Sequence, residues 1–225
     1  MEKIKVADFD VIIHKNALSR SLRLRVDRTG QLVLSMPKWV SVKQGIRFVT
    51  EQSDWIEQQL QKRPRQWMFQ NGMTVCFLGQ NLTIMHDAHA RRGVWIEGDI
   101  LHVSGDETFL HRRVCDFMKR AAYPVIQKHA LALAAQINEK ISKITLKDVS
   151  TRWGSCSADK KLVFCWKLAL APDFVLDYII AHEVAHLREM NHGPAFWRLT
   201  TTLTPHKADA NIWLRKHGAW LQALK

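Results

Sequence analysis

His182 to His192 read HEVAHLREMNH, three histidines and two glutamates in eleven residues. The flanks are apolar, DYIIA before the first histidine and VA inside the motif, so the segment reads as a core helix whose polar groups need partners. His182 and His186 are four residues apart, about one helical turn, and both imidazoles therefore emerge on one face, where they can point at one metal ion. Imidazole suits zinc, and also copper, nickel or iron. Glu183 follows His182 directly and emerges beside the pair, close enough to serve a metal-activated water without being a ligand.

A catalytic zinc takes three protein ligands and keeps a fourth position open. Glu189 lies seven residues after His182 and returns to the same face if the helix runs on straight. His192, six after His186, falls on the wrong side of a continuous helix. However, Asn191 tolerates a left-handed conformation and Gly193-Pro194 enforces a break, so a chain turning back there can swing His192 onto the metal. The break favours His192; Glu189 is the alternative.

Upstream of the motif, KITLKDVSTRWGSCSADKKLVFCWKLALAP (143–172) reads as a strand, a turn around Ser157-Ala158-Asp159 and a returning strand, a hairpin beside the motif helix. Pro172 and Asp173 suit the start of that helix. Gly154 and Ser155 suggest a bend. Arg152 and Trp153 are candidates for a substrate-binding wall; alternatively Trp153 packs against the motif helix and Arg152 pairs with an acid. Cys156 has no neighbouring histidine to activate it. Asp177 could orient a ligand imidazole or be an ordinary surface acid. His206 and His217 read as surface or capping histidines.

Further out, residues 10–36 alternate as a hairpin around Arg28-Thr29-Gly30, with Arg23 and Arg25 on one polar face. Ser41 opens a helix that runs toward Pro64. TVCFLG, NLTIMH and GVWIEGDILHVS (74–104) are strand candidates punctuated at Gly79-Gln80-Asn81 and Gly98-Asp99. A helical region from 106 to 140 carries Pro124, which should kink or split it. Helices near 194–203 and 208–221 close the chain. No internal repeat is visible. Strands segregated from helices argue an α+β fold, with a strand-rich region at 1–105 and a metal-binding catalytic region at 106–225.

The chain has 225 residues, 47% hydrophobic and 24% charged, ordinary for a folded protein. Its formal charge of +12 favours anionic partners, nucleic acid or nucleotides among them. No helix-turn-helix, RNP or zinc-finger signature accompanies that charge, so direct nucleic-acid binding has no motif behind it. Four cysteines without a CxxC pair suit free thiols in a reducing cytosol, and the absence of any long apolar run argues against a membrane span.

RWGSCS (152–157), W-x-L-x-L-A-P (166–172) and LDYIIAHEVAHLREMNHGPAFW (176–197) together resemble the YgjP-like metallopeptidase family, a zincin relative. SLRLRV, SMP, DWIEQQL and FLG in the first half are similar to that family's N-terminal region. The resemblance implies a zincin-like C-terminal half, one zinc or other divalent transition metal on His182, His186 and His192, and Glu183 as catalytic carboxylate. It implies a zinc-dependent, metallopeptidase-like hydrolase acting on a peptide. Some members look like nucleotide hydrolases, which makes a nucleoside triphosphate pyrophosphatase or phosphohydrolase, with Mg or Mn accompanying the substrate, the alternative on the same site.

Overall fold

A computed structural model describes residues 2–7, 9–27, 31–61 and 65–225. Two compact units emerge, Met1–Pro64 and Arg65–Lys225. The first carries β1 (Glu2–Val6), β2 (Phe9–Asn16), β3 (Arg23–Val26) and β4 (Leu32–Pro37), ordered β1-β2-β4-β3. β1 and β3 are antiparallel to their neighbours, while β2 and β4 are parallel. The expected turn at Arg28-Thr29-Gly30, like Pro64, lies outside the described residues. Arg23 and Arg25 are exposed on edge strand β3, a solvated face.

The expected single helix after Ser41 is two, α1 (Val42–Glu51) and α2 (Ser53–Gln61). Ser41 closes a capping box with Gln44 at the start. At the end, the Gln52 amide bonds back three residues to Val49, and the Thr50 hydroxyl donates to the Ile46 carbonyl at 3.1 Å, a back-bond that bends helices.

The second unit opens with β5 (Thr74–Phe77), β6 (Gln80–Asp87), β7 (Val94–Glu97) and β8 (Ile100–Ser104). Their order is β5-β6-β8-β7, again with two antiparallel outer pairs and a parallel central pair. This is the topology of the first sheet, so the chain contains a structural repetition that its sequence does not display. Alternating burial is enough to preserve a sheet order while the individual side chains change. The β5–β6 turn is Leu78-Gly79, one residue earlier than the sequence suggests, with both residues at positive φ, as a two-residue type I′ connection requires.

α3 (Leu110–Gln136) runs unbroken through Pro124 for 27 residues. Its buried stripe, from Leu110 through Ile126 to Ala134, packs with Leu82, Ile84, Leu101 and Val103 of the second sheet and with the motif helix in one core. The division between compact units falls at 64 and 65, and residues 74–104 bury their apolar face in the C-terminal core.

Next come β9 (Lys143–Lys147), β10 (Gly154–Cys156) and β11 (Lys161–Cys165), ordered β10-β11-β9. The expected hairpin is β10–β11. β9 is not its first arm; the chain crosses over after Lys147, and β9 lies parallel to β11 on the far side. A buried 3₁₀ segment, Trp166–Leu170, leads into α4 (Asp173–Ala185), α5 (Pro194–Leu203) and α6 (Lys207–Gln222). Nine of the thirteen α4 residues are buried, so α4 is a central helix rather than a one-faced surface helix. Its start is fixed by the β5–β6 turn: the Leu78 amide donates to the Ala169 carbonyl at 2.7 Å, and any Cβ on Gly79 would collide with the Asp173 carboxylate.

A fragment comprising 65–225 should fold cooperatively, because the α4 core is complete within it. A fragment comprising 106–225 should not, because Leu110, Val114 and Met118 lose the sheet that covers them. Thermal unfolding of both fragments by circular dichroism checks this; a cooperative transition in 106–225 would place the boundary near 105 after all.

Candidate metal centre

α4 ends where its last ligand candidate stands. His186 occupies the C-cap, and the Leu187, Arg188 and Glu189 amides bond back to Val184 and Ala185. The chain then leaves the helix axis. Arg188 anchors that exit, donating to the Ile137 carbonyl at the end of α3 and lying 3.7 Å from Glu139. Neither Asn191 nor Gly193 adopts positive φ, in contrast to the left-handed turn expected at Asn191; the reversal is made by a tight Gly193 amide to Asn191 carbonyl bond at 2.7 Å and by Pro194 opening α5.

The reversal carries His192 back to α4. One nitrogen from each of His182, His186 and His192 lies within 4.8 Å of the other two, and no other such cluster occurs among the described residues. The Nε2 atoms of His182 and His192 are 3.1 Å apart. Two nitrogens sharing a tetrahedral zinc at ordinary bond lengths sit roughly 3.3 Å apart, so the donor set fits such an ion. Burial, then the neighbouring His186, His192 and Lys207, lower the His182 pKa to about 4, which keeps the ring neutral with one nitrogen unprotonated at neutral pH. His182 Nδ1 is buried without a hydrogen-bond partner among the described residues.

His186 is oriented by the Glu189 backbone, whose carbonyl lies 2.9 Å from Nδ1 and leaves Nε2 for a ligand role. Glu189 thus reaches the site through its main chain, and its carboxylate is not part of the cluster. Beneath all three imidazoles lies the fully buried Phe196 ring, 4.9, 4.4 and 4.7 Å from His182, His186 and His192 between centroids. Sequence reasoning passed over Phe196; its position two residues after Pro194, in the first turn of the helix that follows the break, was the available signal.

Glu183 points to the sheet side. A Cβ on Gly154 would lie 2.5 Å from Glu183 Cγ and 2.6 Å from Oε1, so only glycine lets β10 approach the carboxylate this closely. Burial pushes Glu183 up to about 7, against the opposing pull of Arg152. Arg152 is exposed beside it. Trp153 is half-buried with its indole against Gly218 of α6, a packing position. Cys156 sits near Glu183, and burial followed by that carboxylate pushes its thiol up to about 11, far from a nucleophilic thiolate.

Asp177 does not serve a ligand imidazole. It lies 3.0 Å from His129 and accepts from Thr204, on another face of α4. His206 lines a cavity of about 430 Å³ with His129, Asp173 and Asp177, and His217 packs at a tilt against Trp213, so neither joins the triad. Lys207, which sequence reasoning also passed over, holds its Nζ 3.6 Å above the Trp197 ring, and that ring lies 5.6 Å from His192 and 6.0 Å from His182.

An HExxH helix joined by a third histidine from the next turn, with the glutamate seated against a sheet edge, is the arrangement of a metallopeptidase-like domain. The chain belongs to the YgjP-like family: the family's metallopeptidase domain matches residues 20–217, nearly the whole sequence. No curated protein and no solved structure matches the chain.

Gly154→Ala should force Glu183 from its seat. We expect destabilisation of about 1–3 kcal/mol in chemical denaturation, with metal uptake retained. Unchanged stability would mean that β10 can yield without cost.

Glu183 carries a second consequence. Its folded pKa, about 7, is raised above the ordinary 4.5, so its contribution to stability is fully present below pH 4.5 and is lost as pH rises through 7. In metal-stripped protein, Glu183→Gln should remove that loss and narrow the stability difference between acid and mildly alkaline pH by about 3 kcal/mol. Parallel wild-type and variant denaturation profiles would contradict the burial of this carboxylate.

Proposed function

We propose that the chain is a metal-dependent hydrolase of the zincin type in which His182, His186 and His192 hold one divalent ion, zinc by donor chemistry, and Glu183 is the general base. The convergence of three imidazole nitrogens at the broken end of α4 is the observation that carries this reading. A metal bound there supplies Lewis acidity, polarising the attacked group and lowering the pKa of water to about 7. Glu183 takes the proton of the attacking water and delivers it to the leaving group. Its burial raises its proton affinity, while Arg152 and a neighbouring dication favour the ionised form; the balance suits a group that must both accept and release a proton near neutrality. His186 is held in one orientation by the Glu189 carbonyl, and the buried Phe196 ring packs against all three imidazoles.

Family membership supports a metallopeptidase-like hydrolase. A peptide substrate has a natural place on β10, which is paired only with β11 and has its other edge free among the described strands. An extended peptide adding to that edge lies alongside Glu183. Arg152 favours the second reading, hydrolysis of a nucleoside triphosphate: a phosphoanhydride brings negative charge, and Arg152 stands exposed beside Glu183 on a chain of formal charge +12. We place the peptide first. No helix among the described residues is long and apolar enough to cross a membrane.

Wild-type protein should contain about one transition-metal ion per chain. His192→Ala should lower that content. Glu183→Gln should retain the metal and lose turnover by about three orders of magnitude or more. Metal analysis combined with assays on unstructured protein and a panel of nucleoside triphosphates, with Glu183→Gln as blank, separates the readings. Glu183-dependent release of phosphate or pyrophosphate without proteolysis would overturn the peptidase. Loss of metal from Glu183→Gln would make Glu183 a ligand rather than a base.

A further inference from the structure

Lys207 is placed against its own electrostatic interest. It is the first residue of α6, where the helix dipole presents positive charge and an acidic side chain is favoured. It forms no ion pair among the described residues; Asp209 shares its turn without closing on it. Its ammonium is held face-on above Trp197 at 3.6 Å. The α6 start is also bound to α4, since Asn211 donates to both the Lys207 carbonyl at 2.8 Å and the Tyr178 hydroxyl at 3.4 Å, and Tyr178 is buried 5.9 Å from His182. A partly buried cation without an acid partner, held on an aromatic ring that borders two of the three histidines, carries a helix-dipole cost that an acidic side chain at the same position would not. Such costs concentrate where function requires them.

We propose that Lys207, steadied by Trp197, pairs with the anionic oxygen of the substrate at the histidine centre. This rests on the metal-hydrolase reading above and adds to it a side-chain cation beside the histidines. Arg152 and Glu183 occupy the β10 side of α4, and Lys207 the side of His182, His192 and Trp197. The histidine centre therefore has the base next to His182 in α4 and the cation on the Trp197 ring that flanks His182 and His192. The shared chemistry is an oxygen bearing negative charge near the attacked atom. In a phosphoanhydride that charge is present in the ground state; in a peptide it develops only on attack.

Inorganic phosphate, a tetrahedral oxyanion, is the probe. Its affinity for zinc-loaded protein is measured by calorimetry in wild type, Lys207→Met, Lys207→Arg and Trp197→Ala, with metal content and melting temperature taken on each. We expect Lys207→Met to hold zinc normally, to melt no lower than wild type, and to bind phosphate about 10-fold more weakly. Lys207→Arg should recover most of that loss, and Trp197→Ala should show part of it. In the turnover assay, a rise in KM with Lys207→Met marks a substrate charged in the ground state, and a fall in kcat at constant KM marks an oxyanion formed in the transition state. Equal phosphate affinity in wild type and Lys207→Met, with zinc retained in both, overturns this proposal and leaves the metal-hydrolase reading standing. A wild-type chain that takes up no metal overturns both.

Discussion

The site depends on one costly condition: a carboxylate and three imidazoles sit at the end of a helix that is otherwise core. α4 is buried on nearly every side, and Glu183 is 6% exposed. Glu183, His186 and the half-buried His182 must therefore be relieved of their desolvation locally, whereas His192 is exposed. His186 is relieved by the Glu189 carbonyl at 2.9 Å. The Nε2 atoms of His182 and His192 face each other at 3.1 Å, a placement that a shared cation would satisfy. Glu183 holds its proton up to about pH 7 and leans on a strand brought close enough by Gly154. The stability lost in burying these groups is offset by the continuous apolar core that wraps the rest of the helix.

The surrounding architecture holds α4 at both ends. The β5–β6 turn docks on its first residue through the Leu78 amide and the open space at Gly79. Arg188 ties its exit to the end of α3. With both ends held, the break after His186 becomes a fixed reversal rather than a frayed terminus, and His192 returns at a defined distance. The β10–β11 hairpin then supplies the side wall and α5 the floor. The second sheet belongs to this scaffold because its apolar face covers α3, which in turn packs on α4.

Two basic side chains give the site its electrostatic character. Arg152 acts on Glu183 from the β10 side, and Lys207 stands over Trp197. With the negative charge of Glu183 weakened by its burial, these cations give the centre a sign that matches the chain's +12. The Cys156 thiol beside Glu183 is held protonated and adds no competing nucleophile.

Local periodicity made much of this legible in the sequence. The four-residue spacing of His182 and His186, the adjacent Glu183, the helix break before Pro194, the strand-rich first half and the β10–β11 hairpin all follow from helical pitch, strand alternation and turn chemistry, which act over a few residues. Features that depend on distant segments meeting were not legible. Gly154 reads as a bend until Glu183 is found against it. Asp177 is near His182 in sequence, yet it faces His129 and Thr204 because α4 presents it to another side. The division at residues 64 and 65, the repeated sheet order, β9 crossing to the far edge of β11, Phe196 under three rings and Lys207 at their border were decided by packing. Spacing along a chain determines which face a side chain takes; only the folded core determines what that face meets.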